Sequence, residues 1–324
     1  MNKACLIKRI KNRIENPSKR KVSSLNETDN YVQRFSSLPY LQSHVPCELS
    51  FKERCKIVLK GCALGDYAGQ PYEAASWLEC KYLKMKDLYQ KSKDCTDDTI
   101  LTCATAEVLL SDLNTGRCFD KVYREYAMAY PSPLGGYGPK FLEWVYTGAA
   151  PNSCGNGSAM RVGPCGCLDS IEDVIKSAYE SAVCTHRHPE GIKGAIVTAV
   201  CIWMAFHGYS KKDIGNYCAF YYQGYPYSPA NSFEKMLSYK EVQGNPAICQ
   251  TTVPMAVSCF VSSDSYEDCI LKAIQFGWDT DTQAAIAGSI AAAYYRNFSD
   301  ESNKAYQQFT TQGDYGAKLP SLGE

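Results

Sequence analysis

The chain is 324 residues long, with 45% hydrophobic and 21% charged residues, enough for a sizeable core in one large domain or two small ones. Its 34 Lys+Arg cancel 34 Asp+Glu, so no overall field draws it to nucleic acid or to a membrane surface. The 17 cysteines are odd in number, include no C-x-x-C pair and follow no signal-peptide pattern. This argues against a disulfide scaffold or a structural zinc site and leaves them as small buried hydrophobes in a reducing, cytoplasmic compartment.

Residues 1–45 are rich in Lys, Arg, Ser and Asn around Lys19-Arg20-Lys21, and are expected to form a flexible basic extension with little core of its own. The basic triplet is taken as part of a solvated tail, with a nuclear address as the alternative. A single all-α domain is expected over 46–324. It opens with Ser50-Phe51-Lys52-Glu53, a capping box in which the serine oxygen and the glutamate each satisfy a free backbone N–H. The helix that follows turns Cys55, Val58, Leu59 and Cys62 inward, and Gly61 and Gly65 let a neighbour pack close. Further helices are predicted over Asp98–Leu110, Ile171–Cys184, from Pro189 onward, and over Lys211–Tyr222, Thr252–Val261, Tyr266–Phe276 and Thr282–Tyr295. The longest apolar run, Ala195–Phe206, falls short of the ~20 residues that span a bilayer and suits a core helix. No alternating strand series and no βαβ rhythm interrupts this, which points to a compact multi-helix, bundle-like architecture.

Two short segments carry the chemistry: Thr96-Asp97-Asp98-Thr99 and Asp279-Thr280-Asp281-Thr282, each at a predicted helix start. Capping explains one Asp or Thr at each place. It does not explain two acids and two threonines, twice. Residues one or two apart do not share a helix face, so such acids converge only in the turn that leads into the helix. Carboxylates meeting there repel one another unless a divalent cation lies between them. The donors are all oxygens, which suits Mg²⁺, Mn²⁺ or Ca²⁺ rather than zinc, and the tight turns favour Mg²⁺ or Mn²⁺.

Weaker signals surround these two. Gly61 to Glu73 adds glycines and the carboxylates Asp66 and Glu73, and taken alone is a helix end and loop. Gly155-Asn156-Gly157-Ser158 offers N–H and side-chain donors to a phosphate or hydroxyl group, or is a plain turn. In Thr185-His186-Arg187-His188-Pro189 the two histidines suit a ligand hydrogen bond or a structural role better than metal ligation, because no third soft ligand is near. Gly135-Gly136-Tyr137-Gly138 is a flexible loop whose aromatic can stack on or bond a ligand.

In this order, Gly65-Asp66 to Glu73, Thr96–Thr99, Gly136-Tyr137-Gly138, Asn156–Val162, Thr185-His186 with His188-Pro189, and Asp279–Thr282 followed by Ala284–Gly288 resemble the ADP-ribosylglycohydrolase family, which includes the dinitrogenase reductase-activating glycohydrolases. The resemblance implies an all-α fold with a metal cleft at helix N-termini holding two Mg²⁺ (or Mn²⁺). Thr96, Asp97, Asp98, Asp279, Asp281 and Thr282 would then hold the metals, and Asp97 or Glu73 would serve as general base. Asn156, Ser158 and His186 match the region that receives ADP-ribose, and Tyr137 and Gly138 a loop near its diphosphate. The implied substrate is an ADP-ribosylated protein or a small ADP-ribosyl ester such as O-acetyl-ADP-ribose, handled by a monomer with no nucleic-acid or membrane partner. Trp278 stands where the family usually has glycine, and predicts an indole that narrows the pocket or stacks on the leaving group. Tyr67 follows Asp66 where a smaller residue is common. The alternatives are a metal-dependent phosphohydrolase, an ADP-ribose-binding module without turnover, and a structural protein like the lens crystallins that share this fold; intact acids argue against the last.

Overall fold

A computed structural model describes residues 25–38, 41, 45–111, 116–231, 233–238 and 245–319. The helices, in chain order, are α1 (Leu25–Ser36), α2 (Phe51–Gly69), α3 (Trp77–Cys80), α4 (Asp97–Leu110), α5 (Phe119–Ala129), α6 (Pro139–Thr147), α7 (Gly157–Met160) and α8 (Ile171–Val183). They continue with α9 (Pro189–Phe206), α10 (Lys211–Tyr221), α11 (Phe233–Leu237), α12 (Cys249–Val261), α13 (Tyr266–Gln275), α14 (Thr280–Tyr295) and α15 (Asp300–Gln312). Among the described residues there is no β-strand; an isolated antiparallel bridge joins Gly155 to Ile248. The fold is all-α.

The starts of these helices follow local rules. The box at Ser50 forms as expected, with Glu53 N–H donating to Ser50 Oγ at 3.3 Å and Ser50 N–H to Glu53 Oε2 at 2.8 Å. Pro189 occupies the first turn of α9, where a missing N–H costs nothing, and His188 caps that helix by accepting from Glu190 N–H through Nδ1 at 3.1 Å. His188 therefore has a structural role. The apolar α9 is the one helix, among the described residues, long and apolar enough to cross a membrane; every residue from Gly191 to Phe206 is buried inside the domain.

The packing of α2 against α14 decides where the two acidic segments meet. Gly61, Gly65 and Gly69 fall four apart on α2, and Thr280, Ala284, Gly288 and Ala292 fall four apart on α14. Both rows are single stripes at helical spacing. A Cβ at Gly61 would lie 2.3 Å from Ala292 Cβ, one at Gly65 2.2 Å from Ala284 O, and one at Gly69 2.4 Å from Thr280 O. The backbones touch along the whole stripe, and the pairing order makes the two helices antiparallel. The C-terminal end of α2 therefore sits against the N-terminal end of α14, where Thr280 Oγ1 donates to Gly69 O at 2.8 Å.

The described part of the basic extension departs from expectation. α1 lies within 1–45 yet is docked on the domain: Phe35 is 0% exposed and stacks on Tyr221, ring centroids 4.4 Å apart, and Tyr221 Oη donates to Arg34 O at 2.9 Å. Polar residues dilute the apolar stripe of α1, and its aromatics Tyr31 and Phe35 pack on α8 and α10. Residues 1–24, with Lys19–Lys21, lie outside the described residues.

Candidate active site

The first acidic segment is held in place from α2. Buried Asp66 accepts Thr96 N–H at 3.0 Å and Thr99 N–H at 3.1 Å, along with the Thr99 hydroxyl, so its carboxylate caps the N-terminus of α4 across the chain. Burial pushes the Asp66 carboxyl up to about 6 despite those hydrogen bonds. Thr96 is the N-cap itself; its Oγ1 accepts from Asp98 N–H at 3.2 Å and donates to Asp98 Oδ2 at 3.0 Å. With capping assigned to Thr96 and Asp66, Asp97 and Asp98 have no capping role left.

The second segment leads into its helix differently. Asp279 is the N-cap of α14 at φ −90 and ψ 60, and its side chain makes no capping hydrogen bond. It turns sideways to accept from Asn156 Nδ2 at 2.5 Å. The turn is forced by two consecutive left-handed residues, Gly277 at φ 77 and Trp278 at φ 68. Trp278 N–H donates to Ala75 O and Ala74 N–H to Trp278 O, both at 2.6 Å, which clamps the loop bearing Glu73 to the loop bearing Asp279. A left-handed backbone suits glycine best, so the tryptophan here carries strain.

The two acidic helix starts meet at a cleft of about 660 Å³, within the usual range for a small-molecule site. Thr282 Oγ1 donates to Asp98 Oδ2 at 3.2 Å, bridging segments 184 residues apart. Glu73, Asp97, Asp98, Asp279, Asp281 and Thr282 form one wall; Tyr137, Gly138, Lys140, Asn156, Arg161 and His186 lie on the rest of the lining. Burial first, then the charges of Asp66, Asp279 and Glu73, push Asp97 up to about 8. Asp98 and Asp281 are raised well above the carboxylate range, by burial and then by neighbouring acids. Glu73, exposed on the rim, is raised by partial desolvation and then by Asp279.

Beside that wall, Asn156 Nδ2 also donates to Thr252 Oγ1 at 3.0 Å. Tyr137 Oη donates to Tyr130 O at 2.8 Å, leaving its ring, stacked on Phe141, as the surface it offers the cleft. His186 is 7% exposed; burial first, then the charges of Arg161 and Lys140, hold it well below the usual histidine range, so the ring is neutral.

The family model for ADP-ribosylglycohydrolase matches residues 48–298. The chain belongs to the ADP-ribosylglycohydrolase family. It is 28% identical over 320 residues to ADP-ribosylhydrolase ARH3 of Mus musculus, covering 73% of this chain and 82% of that one. It is 27% identical over 309 residues to ADP-ribosylhydrolase ARH3 of Homo sapiens, covering 73% and 84%. A solved structure of an ADP-ribosylglycohydrolase-related protein complex superposes with a TM-score of 0.60 at 20% identity, over 84% of this chain and 97% of that one, and so shares the fold. As a family member the chain is a glycosidic hydrolase that acts on ADP-ribose linkages.

Two residues expected at the family's site do not line the cleft. Thr96 is 1% exposed, and its hydroxyl is engaged with Asp98 as described. Ser158 is 0% exposed and donates to Gly191 O at 2.7 Å, holding α7 against α9. A serine one residue beyond a cleft glycine turns inward once the helix begins. Trp278 does not line the cleft either and is 37% exposed, so the narrowed pocket expected from its indole is not observed. Asp66 and Arg161 are the residues to whose roles sequence reasoning gives no access. Asp66 is legible only as a member of a motif, because its partners are 30 and 33 residues away.

The acidic wall also tests whether divalent ions suit it. Among the described residues no lysine or arginine forms an ion pair with Asp66, Glu73, Asp97, Asp98, Asp279 or Asp281. Asp98 Oδ1 and Asp281 Oδ1 are buried and, among the described residues, accept no hydrogen bond. Buried carboxylate oxygens without a partner are costly. Among the described residues no three acid, histidine or cysteine side chains are already drawn in to an ion's ligand geometry. The donor chemistry, all oxygen, and the two orphaned oxygens fit a hard divalent cation.

Proposed function

We propose that the chain releases ADP-ribose from a protein side chain or a small ester by hydrolysing the glycosidic bond at C1 of the distal ribose, with two Mg²⁺ (or Mn²⁺) as cofactors. The observation that carries this reading is the meeting of two acidic helix starts, with Asp98 Oδ1 and Asp281 Oδ1 buried and unpartnered in the same cleft. Asp97, Asp98, Asp279, Asp281 and Thr282 would hold the ions, with Thr96 acting through its hold on Asp98. When bound, such ions polarise ribose hydroxyls and acidify a water.

The chain's own residues supply the rest. Asn156 holds Asp279 at 2.5 Å and Thr252 at 3.0 Å, so Asp279 is tied to α12 before any ligand arrives. Asp97 and Glu73 both reach the cleft, and either as its carboxylate takes the proton from the attacking water. Burial raises the proton affinity of both carboxyls above that of an exposed acid. The Tyr137 ring and the Gly135–Gly138 loop line the cleft beside these acids. The transition state has oxocarbenium character at C1.

The test is release of free ADP-ribose from serine-linked, arginine-linked and O-acetyl substrates, with Mg²⁺, with chelator, and with Asp281→Asn. Release from one substrate that requires the ion and the acid is the expected result and names the linkage. Release that persists in chelator, or a product of inorganic phosphate instead of ADP-ribose, sinks the proposal.

A further inference from the structure

Arg161 has no part in the chemistry above, yet it is fully buried and lines the cleft. Among the described residues it pairs with no carboxylate, and its guanidinium lies 4.2 Å from the Tyr123 ring centroid. One terminal nitrogen donates to Ser181 O at 2.8 Å and to Thr185 Oγ1 at 2.5 Å. A guanidinium has donors only, so the Thr185 hydroxyl must be the acceptor in that contact. The same hydroxyl lies 2.7 Å from His186 Nδ1. It carries one proton to give, and its other neighbour is the Cys184 thiol, whose sulfur is a weak acceptor.

One arrangement of protons satisfies this chain best. If Nδ1 carried the ring proton, the hydroxyl of Thr185, a residue 1% exposed, would have, among the protein groups of the described residues, only that weakly accepting sulfur to receive its own proton. The hydroxyl therefore donates to Nδ1, and the proton of the neutral ring sits on Nε2. Nε2 faces the turn at Gly155 and Gly157, where a Cβ on either glycine would lie 3.4 Å away. No protein group among the described residues hydrogen-bonds to it, and the ring lines the cleft.

We propose that Arg161 and Thr185 are positioning residues that lock His186 in its Nε2–H form, so that the cleft presents a fixed neutral N–H donor for an acceptor oxygen of the ligand. That the ligand is ADP-ribosyl rests on the function proposed above; the locked tautomer does not. A neutral donor in place of an imidazolium gives direction without adding a charge beside the acidic wall.

Long-range ¹H–¹⁵N NMR of the full-length labelled protein separates the two tautomers, and with 4 histidines in the chain a His186→Gln spectrum assigns the signal. The expected result is a single Nε2–H form in the unliganded protein. An Nδ1–H form or an even mixture overturns the proposal, whatever the variants do. Thr185→Val is expected to mix the tautomers and to weaken ADP-ribose binding about tenfold, with KM rising more than kcat falls, and Thr185→Ser to restore both. A Thr185→Val protein that keeps the wild-type tautomer and affinity removes Thr185 from the role. A locked Nε2–H form in a protein that binds no ADP-ribose upholds the lock and counts against the proposed substrate instead.

Discussion

On the side of the cleft built by Asn156, Thr185 and His186, side-chain hydrogen bonds are in place without any ligand: Asn156 to Thr252 and Asp279, Arg161 to Thr185, Thr185 to His186. On the facing side, carboxylates crowd at two helix starts with Asp98 Oδ1 and Asp281 Oδ1 buried and unpartnered. The first side is preorganised by hydrogen bonds and the second is held together against its own charge. Preorganisation serves recognition, because little has to be ordered when a ligand binds. Stored repulsion serves a cation, which removes the cost on arrival. The two sides should therefore respond differently to mutation, to pH and to metal.

The largest effect is expected at the charged side. Asp97→Asn or Asp281→Asn should lower kcat/KM by about 10²–10⁴, with helical content by circular dichroism unchanged. Asp281→Asn should also raise the Tm measured in chelator while shrinking the rise expected from Mg²⁺ in the wild type. A variant with near wild-type turnover at saturating Mg²⁺ would break the contrast between the two sides.

The α2–α14 stripe comes next. Gly65→Ala should cost about 1–3 kcal/mol in urea unfolding, since the new methyl meets backbone at Ala284 rather than a side chain that can move. Activity should fall with it, because the stripe is what brings Asp279 to the end of α2.

The pH dependence distinguishes the sides further. Folded Asp66 and Asp97 hold protons up to about 6 and about 8, whereas unfolded aspartates release theirs near 3.9. Between those values the folded state binds more protons than the unfolded state, so stability in chelator should fall as pH rises from about 4 to about 8. Saturating Mg²⁺ should flatten that slope in a Tm-versus-pH series. A metal-free protein whose stability increases over the same range would contradict the repulsion assigned to the acidic wall.

Smaller effects are expected away from the charge. Asn156→Ala should weaken ADP-ribose binding about tenfold in calorimetry while leaving most of the Mg²⁺-dependent gain in Tm. Trp278→Gly should change KM for a small ADP-ribosyl ester by less than about twofold, because the indole lies off the cleft. A large KM change there would return the indole to the pocket.

Much of the molecule is legible one segment at a time. The capping box at Ser50, the proline opening α9 and the acid–threonine starts of α4 and α14 are local signals, and helices begin within a few residues of where they predict. α5, α6 and α15 are not among the predicted helices, although Pro139 at the first turn of α6 and Gly148 at φ 77 beyond its end mark its limits. α1 reads as part of a tail because its polar composition hides the burial of Phe35, which depends on Tyr221 far along the chain.

The sequence alone therefore determined an all-α chain, two acidic helix starts of oxygen donors, and a family resemblance resting on both. Only the tertiary structure decided which of these residues share a cleft. Glycine spacing on α2 and small residues on α14 permit a close antiparallel pair, but the register that seats Thr280 on Gly69 is a long-range packing result. Ser158, Thr96 and Trp278 have expected roles by position in a motif, whereas their burial and backbone angles are properties of the folded surroundings. The proton on His186 is out of the sequence's reach for the same reason: it depends on Arg161 and Thr185 meeting across 24 residues of chain, in a place where a hydroxyl has one proton to give.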